Sequence, residues 1–157
     1  MYFGNETREW ILLEKLIDVS DNELTIFITK TRSGNPSTED NKILASDNKG
    51  LFKVLEKSVA IFPDYEQLYR IHFSDYVMYQ SRNESYAHNE NSEIAIGHGL
   101  IIFEKSKLLE YIGEFICIEL AMAHNETKLR HYGVYTLNNV IDIITFHEPV
   151  IERVKST

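Results

Sequence analysis

Residues 132–137 read Tyr-Gly-Val-Tyr-Thr-Leu and residues 140–146 read Val-Ile-Asp-Ile-Ile-Thr-Phe, two runs of β-branched and aromatic side chains divided only by Asn138-Asn139. Such side chains pack best on a pleated surface. The end of the chain is therefore expected to be β, and Glu148-Pro149 stops it because proline cannot donate to a ladder. Asparagine tolerates left-handed backbone, so a tight hairpin at 138–139 is one reading and a single bulged strand is the other.

Upstream, Asn5 can cap a helix over 6–18, in which Trp10, Leu13, Ile17 and Leu12, Leu16 recur at three- and four-residue spacing. Asp21-Asn22 breaks it, and the β-rich residues 24–29 follow as a strand. Residues 33–41 hold no apolar side chain and read as a solvated loop. Residues 43–45 and 51–55 flank Asp47-Asn48-Lys49-Gly50, the pattern of a hairpin. Residues 67–80 suit one long strand or two meeting at a bend near Ser74-Asp75, and 100–103 a short buried strand. Ser106 can cap a helix whose apolar face is Leu108, Leu109, Ile112, Phe115, Ile116 and Leu120. Helix, strands, helix and strands again is not the alternation of a parallel sheet. The expectation is an α+β fold: a mainly antiparallel sheet of about six strands covered by two principal helices.

No linker-like stretch divides the chain, and residues 1–157 are expected to form a single domain. With 43% apolar residues it can build a core without disulfides or structural metal. The formal charge of -8, from 24 acidic and 16 basic side chains, disfavours nucleic acid and anionic membranes as partners. Cys117 is the only cysteine, which excludes an intrachain disulfide and suits a reducing compartment. The first ten residues lack the basic and apolar stretches of a signal peptide, so the expected location is cytoplasmic.

Phosphate-loop, dinucleotide, zinc-protease, dithiol and nucleophile-elbow motifs are all missing, and no cofactor is expected. Gly97-His98-Gly99 is glycine-rich only in miniature and reads as a turn before it reads as a phosphate cradle. Arg82, Glu84 and Tyr86 would share one face of a strand. Arg82 could then grip an anion with Glu84 as acid or base, or the two could simply pair at the strand end. Glu84, His88, Glu90 and Glu93 could gather round a cation, although their spacing fits no known loop and a solvated acidic segment is the plainer reading. His131 opens the C-terminal β segment, and Asp142 sits between Ile141 and Ile143. A buried carboxylate there needs a partner, either His131 or Arg82; an outward-facing acid in an alternating strand needs none. Cys117 has no neighbouring cation and reads as a core thiol.

Two functions follow as expectations. The first is an acidic protein-binding module, comparable in class to intracellular inhibitors or immunity proteins, that meets a basic protein partner through Tyr79, Tyr86, Glu90 and Glu93. The second is a small-molecule binder or enzyme with a polar pocket between sheet and helix, formed by Arg82, Glu84, His131 and Asp142. Convergence of those four residues in a concave site favours the second function; their dispersal favours the first.

Overall fold

Where the sequence spacing predicts a first helix, the chain forms a strand. The computed structural model describes residues 10–34, 59–88, 91–115 and 128–154. Strand β1 spans Ile11–Val19 and pairs antiparallel with β2, Glu23–Gly34. Their register shifts between Leu13 and Lys15, so Glu14 is a bulged extra residue. Ile11, Leu13 and Leu16 consequently all face the core. The bulge turns a two-residue step into a three-residue one, and that step imitates the period of a helix. Asp21 and Asn22, at φ 71° and 61°, make the turn into β2, in the left-handed conformation that these two residue types tolerate.

Strand β3, Ala60–Phe73, pairs with β2 and with β9, Val150–Val154, giving a four-stranded antiparallel sheet of order β1-β2-β3-β9. The aromatic run 67–80 is broken at Ser74-Asp75. There the chain leaves this sheet and enters a second one as β4, Tyr76–Asn83. That sheet has five antiparallel strands in the order β4-β8-β7-β6-β5, with β5 at Ile94–His98, β6 at Leu100–Lys105, β7 at Arg130–Tyr135 and β8 at Asn139–Thr145. Gly97 (φ 116°) and Gly99 (φ 73°) carry the tight β5–β6 turn. A Cβ on Gly97 would lie 2.4 Å from the Leu100 carbonyl oxygen, so the glycines serve the turn. Strands β7 and β8 form a hairpin closed by Thr136, whose N–H donates to the Asn139 carbonyl at 2.8 Å. Neither asparagine of 138–139 takes a positive φ.

The sheets pack face to face. Leu24, Ile26, Ile28, Ile71 and Phe73 from the first meet Tyr132, Val134, Ile141 and Ile143 from the second in one buried cluster, and the Phe73 and Tyr132 rings touch at 5.8 Å between centroids. Full burial of each such side chain contributes about 1.5–3 kcal/mol. At the rim, Asp18 accepts hydrogen bonds from the phenols of Tyr76 (2.9 Å) and Tyr79 (3.1 Å), tying β1 to β4 across the sandwich.

Among the described residues the fold is therefore mostly β, with two sheets and one short helix, and the expectation of a single sheet under two principal helices is corrected. The helix, α1, covers Lys107–Gly113 and is capped by Ser106, whose Oγ accepts the Leu109 N–H at 3.1 Å. Ile112 is buried, whereas Phe115, expected on the same apolar face, is exposed. The expected hairpin over 43–55, the thiol of Cys117 and the apolar positions at 116–120 lie outside the described residues. Among the described residues no helix is long and apolar enough to cross a membrane.

Candidate functional site

Strand register alone assembles the floor of the site. Along β8, Ile141 and Ile143 enter the core between the sheets, so Val140, Asp142 and Ile144 project from the other face. Directly opposed residues share a face. Gln80 on β4 and Gly133 on β7 both lie opposite Asp142, Arg82 and Tyr135 opposite Val140, and Phe103 on β6 opposite His131. The outer face of the five-stranded sheet thus gathers Gln80, Arg82, Phe103, His131, Tyr135 and Asp142. Gly133 makes room for the rings: a Cβ there would meet Tyr135 at 2.7 Å and Phe103 at 3.3 Å.

Asp142 is only 1% exposed, and both of its oxygens are occupied. Oδ2 accepts from Gln80 Nε2 at 2.9 Å and from Arg82 Nη2 and Nε at 2.9 and 3.2 Å. Oδ1 accepts from His131 Nε2 at 3.1 Å. Burial by itself pushes this carboxyl upward, but the hydrogen bonds from His131 and Gln80 and the Arg82 charge outweigh it and hold Asp142 below the usual carboxylate range. Asp142 is therefore an anion in its own cage of donors.

His131 is buried, and its ring stacks flat on Phe103, with centroids 4.0 Å apart and planes 5° from parallel. Nε2 is engaged by Asp142, and Nδ1 on the other side of the ring faces Ser106. Ser106 Oγ, 2.7 Å away, is hydrogen-bonded to Nδ1 and also accepts the Leu109 N–H. Leu109, Ser106, His131 and Asp142 thus form one continuous chain of hydrogen bonds.

Over this floor opens a cavity of about 240 Å³, walled by Lys107 and Leu108 from the start of α1 and by His88 and Glu93 from the connecting segments. Glu93 accepts the Lys107 backbone N–H at 3.1 Å, and Lys107 Nζ pairs with Glu110 at 3.0 Å.

Of the four residues expected to form a pocket, Arg82, His131 and Asp142 are in direct contact and Glu84 is elsewhere. Strand β4 ends at Asn83, and Glu84 starts an exposed 3-10 turn over Glu84–Tyr86, so Arg82, Glu84 and Tyr86 do not share a strand face and no Arg82–Glu84 pair forms. Asp142 does not meet solvent: it is enclosed by Gln80, Arg82 and His131, which bond its two oxygens. Of the residues expected to meet a protein partner, Tyr79 bonds Asp18, Glu93 bonds the helix start, Tyr86 is 86% exposed, and Glu90 lies outside the described residues. Among the described residues no group of three or more His, Cys, Asp or Glu side chains is placed to hold a metal ion. Sequence reasoning missed Gln80, Phe103 and Gly133, and saw Ser106 only as a cap. Gln80 and Arg82, two apart on one strand, carried a signal; the β6 and β7 contributions depend on register that no local pattern specifies.

Comparison with protein-family models, with curated proteins and with solved structures found no match.

Proposed function

We propose that this chain is a binding protein for a small polar molecule, held in the cavity on the outer face of the five-stranded sheet. The observation that carries the reading is the convergence of Arg82, His131 and Asp142, joined by Gln80, on one wall of that cavity. Side chains locked by mutual hydrogen bonds lose little freedom when a ligand arrives, which is how a preorganised site gains affinity. At about 240 Å³ the cavity is smaller than the roughly 300–1,000 Å³ of drug-sized sites, which suits a compact ligand.

Binding is favoured over catalysis because the candidate proton carriers are occupied. Both nitrogens of His131 are hydrogen-bonded, and Ser106, 3% exposed, both caps α1 and serves His131. His131 lines the cavity with both ring nitrogens engaged inside the fold and Ser106 is not among the lining residues, which does not favour either as a base or nucleophile. The acidic interaction module draws on the charge of -8 and on exposed Tyr86, but Tyr79 and Glu93 are engaged within the fold, which lends it less support.

The test is protein-observed NMR of the ¹⁵N-labelled chain against a library of compact polar compounds. Hits are expected to move the amides of Gln80, Arg82, Leu108 and Tyr135 together. A library that moves none of them, or only residues on other faces, would overturn the reading.

A further inference from the structure

We infer that the ligand carries a single carboxylate on a small apolar body, and that Arg82 receives the carboxylate end-on; this rests on the binding reading above. A guanidinium offers two forks of parallel N–H groups, one from Nε and Nη2 and one from Nη1 and Nη2. In this fold the first fork is closed on Asp142 Oδ2. The second has no hydrogen-bonding partner among the described residues, and Arg82, with 35% of its side chain exposed, lines the cavity. Asp142 is in turn held by Gln80 and His131, so the guanidinium plane is fixed before any ligand binds. A planar oxyanion matches a planar fork through two parallel charge-assisted hydrogen bonds.

The rest of the lining selects among oxyanions. Asp142 and Glu93 place negative charge at the cavity, and the ammonium of Lys107 already pairs with Glu110. Arg82 already pairs with Asp142, so every further negative charge on a ligand adds repulsion from Asp142 and Glu93, and a monoanion meets less of it than a phosphate dianion. Phe103 and Leu108 supply apolar wall for the body of the ligand, which the cavity limits to a compact size.

The experiment titrates the wild-type ¹⁵N-labelled chain with butyrate, hexanoate and benzoate, with butyramide, hexanamide and benzamide, and with inorganic phosphate. Backbone amides and the Arg82 Nε–H are followed. The expected result is that at least one carboxylate moves the cavity resonances and binds at least about tenfold more tightly than its own amide and than phosphate, the loss of a charge-assisted pair. Arg82→Lys keeps the charge and removes the fork. In that variant the carboxylate that binds the wild type is expected to weaken at least about tenfold while its own amide is unchanged, and if the variant does not fold the wild-type comparison decides alone. Amides that bind the cavity as tightly as carboxylates overturn the inference and leave the binding reading standing, and phosphate binding more tightly than every carboxylate does the same. Carboxylates that bind only at other faces, or no compound moving the cavity resonances, overturn the inference. The compact-library result then decides the binding reading separately.

Discussion

Arg82 holds Asp142 through two of its nitrogens on one carboxylate oxygen, Nη2 at 2.9 Å and Nε at 3.2 Å, and so joins the edge strand β4 to the interior strand β8 beside it by side chains as well as by backbone. Asp142→Ala removes the shared acceptor and leaves the buried His131 Nε2 without its partner, while the partly exposed Arg82 recovers water. The expected destabilisation is about 2–4 kcal/mol, read from urea unfolding; Asp142→Asn, which keeps an acceptor oxygen, is expected to cost less. Equal stability of Asp142→Ala and wild type would show that the cage contributes nothing.

The same carboxylate makes stability depend on acid. Its folded pKa is lowered relative to about 3.9 in the unfolded chain. The stabilisation is therefore fully present above that unfolded value and is lost as pH falls through the lower folded one. Unfolding free energies at pH 7 and pH 3 should differ less in Asp142→Asn than in wild type. An unchanged difference would place the acid sensitivity in other carboxylates.

Ser106→Ala takes away two things at once, the cap on the Leu109 N–H and the hydrogen bond with His131 Nδ1. A loss of about 1–3 kcal/mol is expected, from about 1 for a cap and a similar amount for a buried hydrogen bond. Ser106→Thr retains the hydroxyl and should recover part of it. If alanine and threonine behave alike, packing at this buried site outweighs the hydroxyl.

At alkaline pH the rim contact should give. Tyr76 is raised above 10.0 first by its hydrogen bond to Asp18 and then by burial, and Tyr79 is raised first by burial and then by the same acceptor. Their contribution is present below the unfolded pKa and is lost as pH rises through the folded values. In Asp18→Asn two phenols should ionise at lower pH than in wild type, seen as an earlier rise of tyrosinate absorbance. Superimposable titrations would mean that Asp18 does not govern these phenols.

The β character of 132–146, the break at Ser74-Asp75 and the cap at Ser106 were legible because each depends on nearest neighbours: branched side chains, turn-forming residues, a hydroxyl before an apolar run. The nature of residues 11–19 was not. One bulged residue, Glu14, turns a β alternation into helical spacing, and only pairing with β2 reveals it. Asp142, flanked in sequence by Ile141 and Ile143, left two readings open, an outward-facing acid or a buried one paired with His131 or Arg82, and its 1% exposure decides for the second. That Glu84 stands aside while Gln80, Phe103 and Ser106 join the network follows from where β4 ends and how β6, β7 and β8 align. By itself the sequence determined local backbone preference and the need for a buried charge to be paired. The tertiary structure decided which residues met, because strand register is set by the packing of distant segments, and a shift of one residue moves every side chain to the opposite face.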